Sequence, residues 1–152
     1  MKLDPVFYVK ENKLYKIADN SPFETKNLLK INVKWSEVEI ADEQYNEEQL
    51  ASLREQLKNL ESEGKFAVIV PQIDRTLETP EQLELFVNAF NHTARRIKDC
   101  VSVAGFELAP QLLKMGSAAV TQFRETLAIK HAQYVYFAAE TTSKLTDDVV
   151  KY

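Results

Sequence analysis

The segment that decides the fold reads FAVIVPQIDRTLETPEQLELFVNAFNHTARRIKDCVSVAGF over residues 66–106. It begins and ends with short, largely apolar runs, 66–70 and 101–106, which are typical of strands buried on both faces. Between them, residues 79–82 read TPEQ and supply an N-cap hydroxyl, a proline in the first turn and a glutamine that can return a hydrogen bond. The segment therefore predicts a strand, a helix and a second strand that runs parallel to the first.

The same alternation extends toward the N-terminus. Residues 28–35 carry an apolar side chain at every second position, which predicts a strand with one apolar face. Asn46 is a suitable N-cap for the helix that follows, where leucines recur at helical spacing, and Gly64 is a suitable left-handed stop. The sole tryptophan, Trp35, is expected to pack in the core.

Toward the C-terminus, apolar residues from Val120 to Leu127 predict a further helix, with Ser117 near its cap. Residues 133–137 predict a last strand. Thr141 or Thr142 is then expected to cap a short terminal helix that carries the apolar side chains of Leu145, Val149 and Val150.

The first 27 residues have a different pattern. Two β-prone runs, 7–9 and 14–17, flank Glu11-Asn12, so they predict a β-hairpin extension. The whole is expected to be one α/β domain over residues 1–152, with residues 1–27 as the hairpin. Its sheet should be open, mostly parallel and flanked by helices on both faces.

Composition excludes several classes of function. The formal net charge is −4, and the basic residues form no long cluster, so nucleic acid is not an expected partner. The single cysteine and two histidines have no zinc-ligand spacing, and the chain has no glycine-rich phosphate loop, so neither a metal nor a cofactor is expected. No run approaches a membrane span and no signal segment is evident, so the sequence predicts a cytoplasmic protein without a membrane partner.

Polar residues follow each predicted strand of the parallel sheet, where ligands bind in such folds. Glu107 and Glu140 each follow a well-defined strand and form the candidate pair of catalytic carboxylates. The candidate binding residues at the same edge are Glu37, Asp74, Arg75 and Gln111, and Glu39 and Gln72 stand at the same strand ends. Strand-end loops are polar in most proteins because they run over the surface, so this position alone does not assign a function.

The order of segments resembles the cellulase-type glycoside hydrolases, which are (β/α)8 barrels. In that family a small hairpin often precedes the barrel, and the fourth strand ends in the pattern G-F-E-L-x-N-E-P. Here the matching stretch runs from Gly105 to Gln111 as GFELAPQ. Proline replaces the asparagine at Pro110, and an amide replaces the acid/base glutamate at Gln111.

These departures change what the resemblance implies. An amide such as Gln111 cannot supply the proton that glycoside cleavage requires. The chain is also shorter than the roughly 250 residues of a typical closed barrel. The resemblance therefore implies a shortened, non-catalytic relative that binds a sugar or a partner protein.

Two alternatives stay open. The order of elements also resembles the STAS-like domains of anti-sigma-factor antagonists, which would make this a regulatory protein-interaction module. The serine loop that is phosphorylated in that family is replaced by IDRTL at residues 73–77. The other alternative is a small working hydrolase that uses Glu107 and Glu140. Strand order separates the glycoside hydrolase-like interpretation from the STAS-like one. A sequential order favours the glycoside hydrolase fold, and a mixed sheet favours the STAS-like fold.

Overall fold

Five parallel strands form the central sheet in the computed structural model, which describes residues 3–142 and 145–152. Along the chain the elements are β1 (Phe7–Lys10), β2 (Lys13–Lys16), β3 (Leu28–Lys34), α1 (Trp35–Val38), β4 (Glu39–Ala41), β5 (Gln44–Tyr45), α2 (Glu47–Ser62), β6 (Phe66–Gln72), α3 (Pro80–Arg96), β7 (Val103–Glu107), α4 (Pro110–Lys114), α5 (Ser117–Ala128), β8 (Val135–Ala138) and β9 (Val149–Lys151).

The order of strands across the central sheet is β3-β6-β7-β8-β9, and each neighbouring pair is parallel. This confirms the prediction of an open parallel sheet with the strands after residues 66 and 101 at its centre. The order is also sequential, as expected for a fold like that of the glycoside hydrolases. Helices lie in the crossovers between β3 and β8, and α2, α3 and α5 all pack on one side of the sheet.

The face of the sheet that contacts α2, α3 and α5, here called the helix face, carries the larger core. The caps of its helices form as predicted: the Asn46 side chain accepts from the Gln49 N–H, and Thr79 and Gln82 complete a reciprocal capping box. Trp35, Phe86, Phe90 and Phe123 are almost fully buried there. The predicted apolar stripes therefore pack against the sheet.

The opposite face, here called the hairpin face, is covered by the β1–β2 hairpin. Phe7 and Leu14 of the hairpin are buried against strand residues that include Val68 and Phe137. No helical side chain belongs to this second core among the described residues. A hairpin thus covers the face where the sequence predicted a second layer of helices.

The predicted terminal helix is wrong where the structure describes it. Val149 and Val150 lie in β9, which pairs in parallel with β8. Their side chains are buried on opposite faces of the sheet, as alternation in a strand requires. Residues 143–144 of the predicted helix lie outside the described residues.

Among the residues that the structure describes, no helix combines the length and the apolar character needed to cross a lipid bilayer.

The hairpin turn closes the outer edge of β9. Asn12 has φ of 64°, donates its backbone N–H to the Asp147 carbonyl over 3.0 Å, and accepts from the Lys151 N–H over 3.2 Å. Its side-chain amide donates to the carbonyls of Thr146 and Val149 over 2.8 and 2.7 Å. One residue therefore satisfies the backbone groups that an edge strand leaves unpaired.

We expect Asn12→Ala to lower the free energy of unfolding by about 2 kcal/mol, because two hydrogen bonds are lost and alanine is strained at positive φ. Urea denaturation measures the change. Lys10→Ala at the exposed end of β1 is the control and should change stability by less than about 0.5 kcal/mol. Equal stabilities of the two variants would show that Asn12 does not hold the edge.

Candidate functional site

Five polar or aromatic side chains gather on the hairpin face toward the carboxyl ends of the strands. This strand-end cluster consists of Lys30, Asn32, Gln72, Glu107 and Tyr152. Asn32, Gln72, Glu107 and Tyr152 lie at or near the carboxyl ends of their strands. Lys30 lies earlier in β3, opposite Val68, and shares their face because side chains alternate along the strand.

Glu107 is the carboxylate of the cluster. The Tyr152 phenol donates a hydrogen bond to Glu107 Oε1 over 2.7 Å, and both side chains are half-buried. Burial raises the pKa of the Tyr152 phenol, and the hydrogen bond and the negative charge of Glu107 raise this pKa further. Tyr152 therefore stays protonated at neutral pH and acts as a fixed donor to the carboxylate.

Lys30 joins the two edges of the sheet. Its Nζ lies 4.0 Å from the centroid of the Tyr152 ring, although Lys30 lies in β3 and Tyr152 follows β9. In a flat sheet those edge strands would be about 19 Å apart, since neighbouring strands are spaced by about 4.8 Å. The contact therefore requires a sheet that curves around the hairpin face, so that the cluster lines a concave surface.

Asn32 and Gln72 supply amide groups on neighbouring strands. Gln72 Nε2 donates to Asn32 Oδ1 over 3.3 Å, which leaves the Gln72 carbonyl and the Asn32 amino group free to bind a ligand. Asn32 is exposed and Gln72 is half-buried. The cluster thus offers a cation, a carboxylate, two amides and an aromatic ring within one concavity.

Asp74 lies at the same end of the sheet but is paired within the protein. Its carboxylate accepts from the Ser36 N–H over 3.0 Å and from the Ser36 hydroxyl. Partial burial acts to raise the pKa of Asp74, but the Ser36 hydrogen bonds outweigh it and hold the pKa below its usual range. Asp74 is therefore ionised and ties the end of β3 to the end of β6.

Arg75 is engaged by a buried carboxylate. Its Nη1 donates to Glu39 Oε1 over 3.0 Å, its Nη2 donates to the Glu39 carbonyl, and its guanidinium lies 5.4 Å from the Trp35 ring. Glu39 is fully buried and also accepts from Trp35 Nε1 over 2.8 Å and from the Glu43 N–H over 2.7 Å. The Arg75 guanidinium thus balances a charge inside the fold.

The remaining predicted site residues lie in three different segments, and one of them is bonded to the cluster. Glu37 is exposed in α1, and Gln111 is exposed in the short helix α4. Glu140 is exposed after β8, and its backbone N–H donates to the Tyr152 carbonyl over 2.9 Å. Tyr152 therefore bonds to Glu107 through its side chain and to Glu140 through its backbone.

No protein-family model matches the chain, and no curated protein matches its sequence. Solved structures do match its fold. Endo-glycoceramidase II from Rhodococcus sp. superposes with a TM-score of 0.63 at 11% identity, over 91% of this chain and 48% of that enzyme. The same enzyme has been solved with a cellobiose-like imidazole and as a lactosyl-enzyme intermediate.

An endoglucanase from Pseudomonas stutzeri matches with a TM-score of 0.59 at 14% identity, over 79% of this chain and 44% of the enzyme. A GH5_18 protein from Bifidobacterium longum subsp. infantis matches with a TM-score of 0.57 at 11% identity, over 80% of this chain and 37% of that protein. The chain has a glycoside hydrolase-like fold. It spans less than half the length of each of these three proteins.

Three members of the strand-end cluster were missed by the sequence analysis. Lys30 and Asn32 alternate with the apolar residues of β3, and this alternation was a usable signal that they share the other face. Tyr152 gave no such signal, because the residues before it were assigned to a helix. Its position depends on β9, which brings the ring onto the hairpin face.

Other reactive side chains lie away from the cluster. The His92 ring stacks on Tyr45 with centroids 4.2 Å apart, and its Nε2 lies 2.9 Å from Glu47 Oε1. Cys100 is buried, and burial raises the pKa of its thiol to about 11, which keeps it protonated. Among residues 3–142 and 145–152, no three His, Cys, Asp or Glu side chains are arranged to hold a metal ion.

Proposed function

We propose that this protein binds a carbohydrate on the concave hairpin face and does not hydrolyse it. The observation that carries the proposal is the strand-end cluster, in which the Tyr152 phenol joins the Glu107 carboxylate to Lys30, and the amide pair of Asn32 and Gln72 lies on the same face of the sheet. Such groups match the hydroxyls of a sugar, since an amide both donates and accepts hydrogen bonds and a carboxylate accepts them. The Tyr152 ring packs against Phe137 and carries Lys30 Nζ on its face, so it fixes the phenol and the cation in place.

The absence of hydrolysis is inferred from the carboxylates. Both glycosidase mechanisms need two carboxyl groups that flank the bond, about 5–10 Å apart. Among the described strand side chains of the hairpin face, Glu107 is the only carboxylate. Gln111, which stands where the resembled family has its acid/base glutamate, is an exposed amide on α4.

The similar structures suggest which sugars to test. They include a complex with a cellobiose-like imidazole and a lactosyl-enzyme intermediate, so cellobiose and lactose are the first probes for this chain. Because the chain covers less than half of those enzymes, the proposal concerns binding at its own cluster.

We expect isothermal titration calorimetry to detect binding of lactose or cellobiose. Glu107→Ala should weaken it at least tenfold, because a hydrogen bond to a charged group contributes about 1.5–3 kcal/mol. Gln72→Ala should also weaken it.

Glu125→Ala, at an exposed position of α5, is the control and should leave the affinity unchanged. Circular dichroism of each variant establishes that it is folded. A wild-type protein that binds neither sugar, or a Glu107→Ala variant that binds as well as the wild type, would overturn the proposal.

A further inference from the structure

The two edges of the central sheet differ. The β9 edge is closed by the four hydrogen bonds of Asn12. At the other edge, β3 has seven residues and pairs with β6 on one side only. Within the described residues, no backbone hydrogen bond outside the strand ladder reaches residues 29–34. The outward N–H and C=O groups of β3 are therefore available to another strand.

The two faces of this open edge carry different kinds of side chain, apolar on one and basic on the other. On the helix face, Leu29 is 42% exposed, and Ile31 is half-buried next to it. On the hairpin face, β3 presents Lys30 and Lys34, and the strand contains no carboxylate. Lys26, in the turn before β3, and Lys65, before β6, are also exposed.

We propose that the β3 edge binds an extended, acidic segment of another protein by strand addition. An added strand would complete the main-chain hydrogen bonds of β3, which is a recurring mode of peptide recognition. Its alternate side chains would be apolar against Leu29 and Ile31, and acidic against the lysines. The added strand would pair with the outward backbone groups of β3; this edge shares Lys30 with the strand-end cluster, but the proposal does not depend on sugar binding.

The lysines of β3 favour an acidic partner over a second copy of the chain. Two β3 strands paired with each other would bring lysines of both copies onto the same face, and like charges in cross-strand pairs are destabilising. Lysines on an edge strand are a known means by which proteins avoid pairing with themselves. The same lysines attract a strand of opposite charge and increase its rate of association.

The test uses an eight-residue synthetic peptide that alternates valine with glutamate, and a matched peptide that alternates valine with lysine. In NMR titrations, the acidic peptide should shift the backbone amides of residues 28–34, and the basic peptide should not. The double variant Lys26→Glu/Lys34→Glu should bind the acidic peptide about tenfold more weakly and should gain binding to the basic one.

The control is Lys13→Glu/Lys151→Glu, which makes the same change of charge on the side of the capped edge. This variant should bind the acidic peptide like the wild type. The proposal fails if the acidic peptide leaves the amides of residues 28–34 unshifted. It also fails if both double variants lose affinity equally, because binding would then follow net charge alone.

Discussion

Gly105→Ala is expected to cost more than about 4 kcal/mol of unfolding free energy and to leave little folded protein. A Cβ atom at Gly105 would lie 1.6 Å from the carbonyl oxygen of Val135, which belongs to the neighbouring strand β8. The two strands cannot separate at this point without breaking the middle of the sheet. Thermal denaturation and the yield of folded protein measure the effect.

Gly64→Asn is the matched control for this glycine. Gly64 has φ of 70° with nothing near its missing side chain, and asparagine tolerates that conformation. The change in stability should therefore stay below about 1 kcal/mol. If Gly105→Ala lowered the stability no more than Gly64→Asn, β7 and β8 would not approach each other as closely as the structure shows.

Arg75→Ala should lower the free energy of unfolding by about 3 kcal/mol, because it leaves the buried carboxylate of Glu39 without its cation. The hydrogen bonds from Trp35 and Glu43 remain, but they do not balance the charge. Chemical denaturation with urea at neutral pH measures the loss.

Two further variants separate charge from packing. Glu39→Gln in the Arg75→Ala background should recover at least half of the loss, because a neutral amide is less costly to bury unpaired. Arg54→Ala breaks an exposed ion pair with Asp99 and should lower the free energy of unfolding far less than Arg75→Ala does. An Arg75→Ala variant as stable as Arg54→Ala would show that Glu39 needs no cation.

Local sequence signals predicted the central part of the fold. The apolar runs after residues 66 and 101, the cap at Asn46 and the capping box at Thr79 all form where their residue types indicate. The caps depend on a few neighbouring residues, and the buried strands show themselves as continuous apolar runs. Both kinds of signal can be seen in a single sequence.

The parts that the sequence did not predict depend on contacts between distant segments. Val149 and Val150 have a spacing from Leu145 that suits a helix, but the free edge of β8 and the side-chain amide of Asn12 hold them as a strand. The hairpin covers one face of the sheet because Phe7 and Leu14 find apolar partners there. Neither the strand at β9 nor the packing of the hairpin on the sheet can be predicted from a short stretch of sequence.

The candidate site was predicted in part for the same reason. The strand-end rule named Glu107 and Gln72, which belong to the strand-end cluster, since each ends a buried strand. Glu39 and Arg75 were placed at the same edge, but their pairing and the burial of Glu39 depend on the β4–β5 hairpin and Trp35. Roles for Glu37, Asp74, Arg75, Gln111 and Glu140 in binding stay predictions.

The central claim, binding without hydrolysis at the strand-end cluster, is tested most directly by one NMR titration with p-nitrophenyl β-lactoside. We expect saturable shifts of the backbone amides of Asn32, Gln72, Glu107 and Tyr152, and no release of p-nitrophenol. Shifts that spare these residues would contradict the site. Release of p-nitrophenol by the wild type, abolished in both Glu107→Gln and Glu140→Gln, would contradict the absence of hydrolysis.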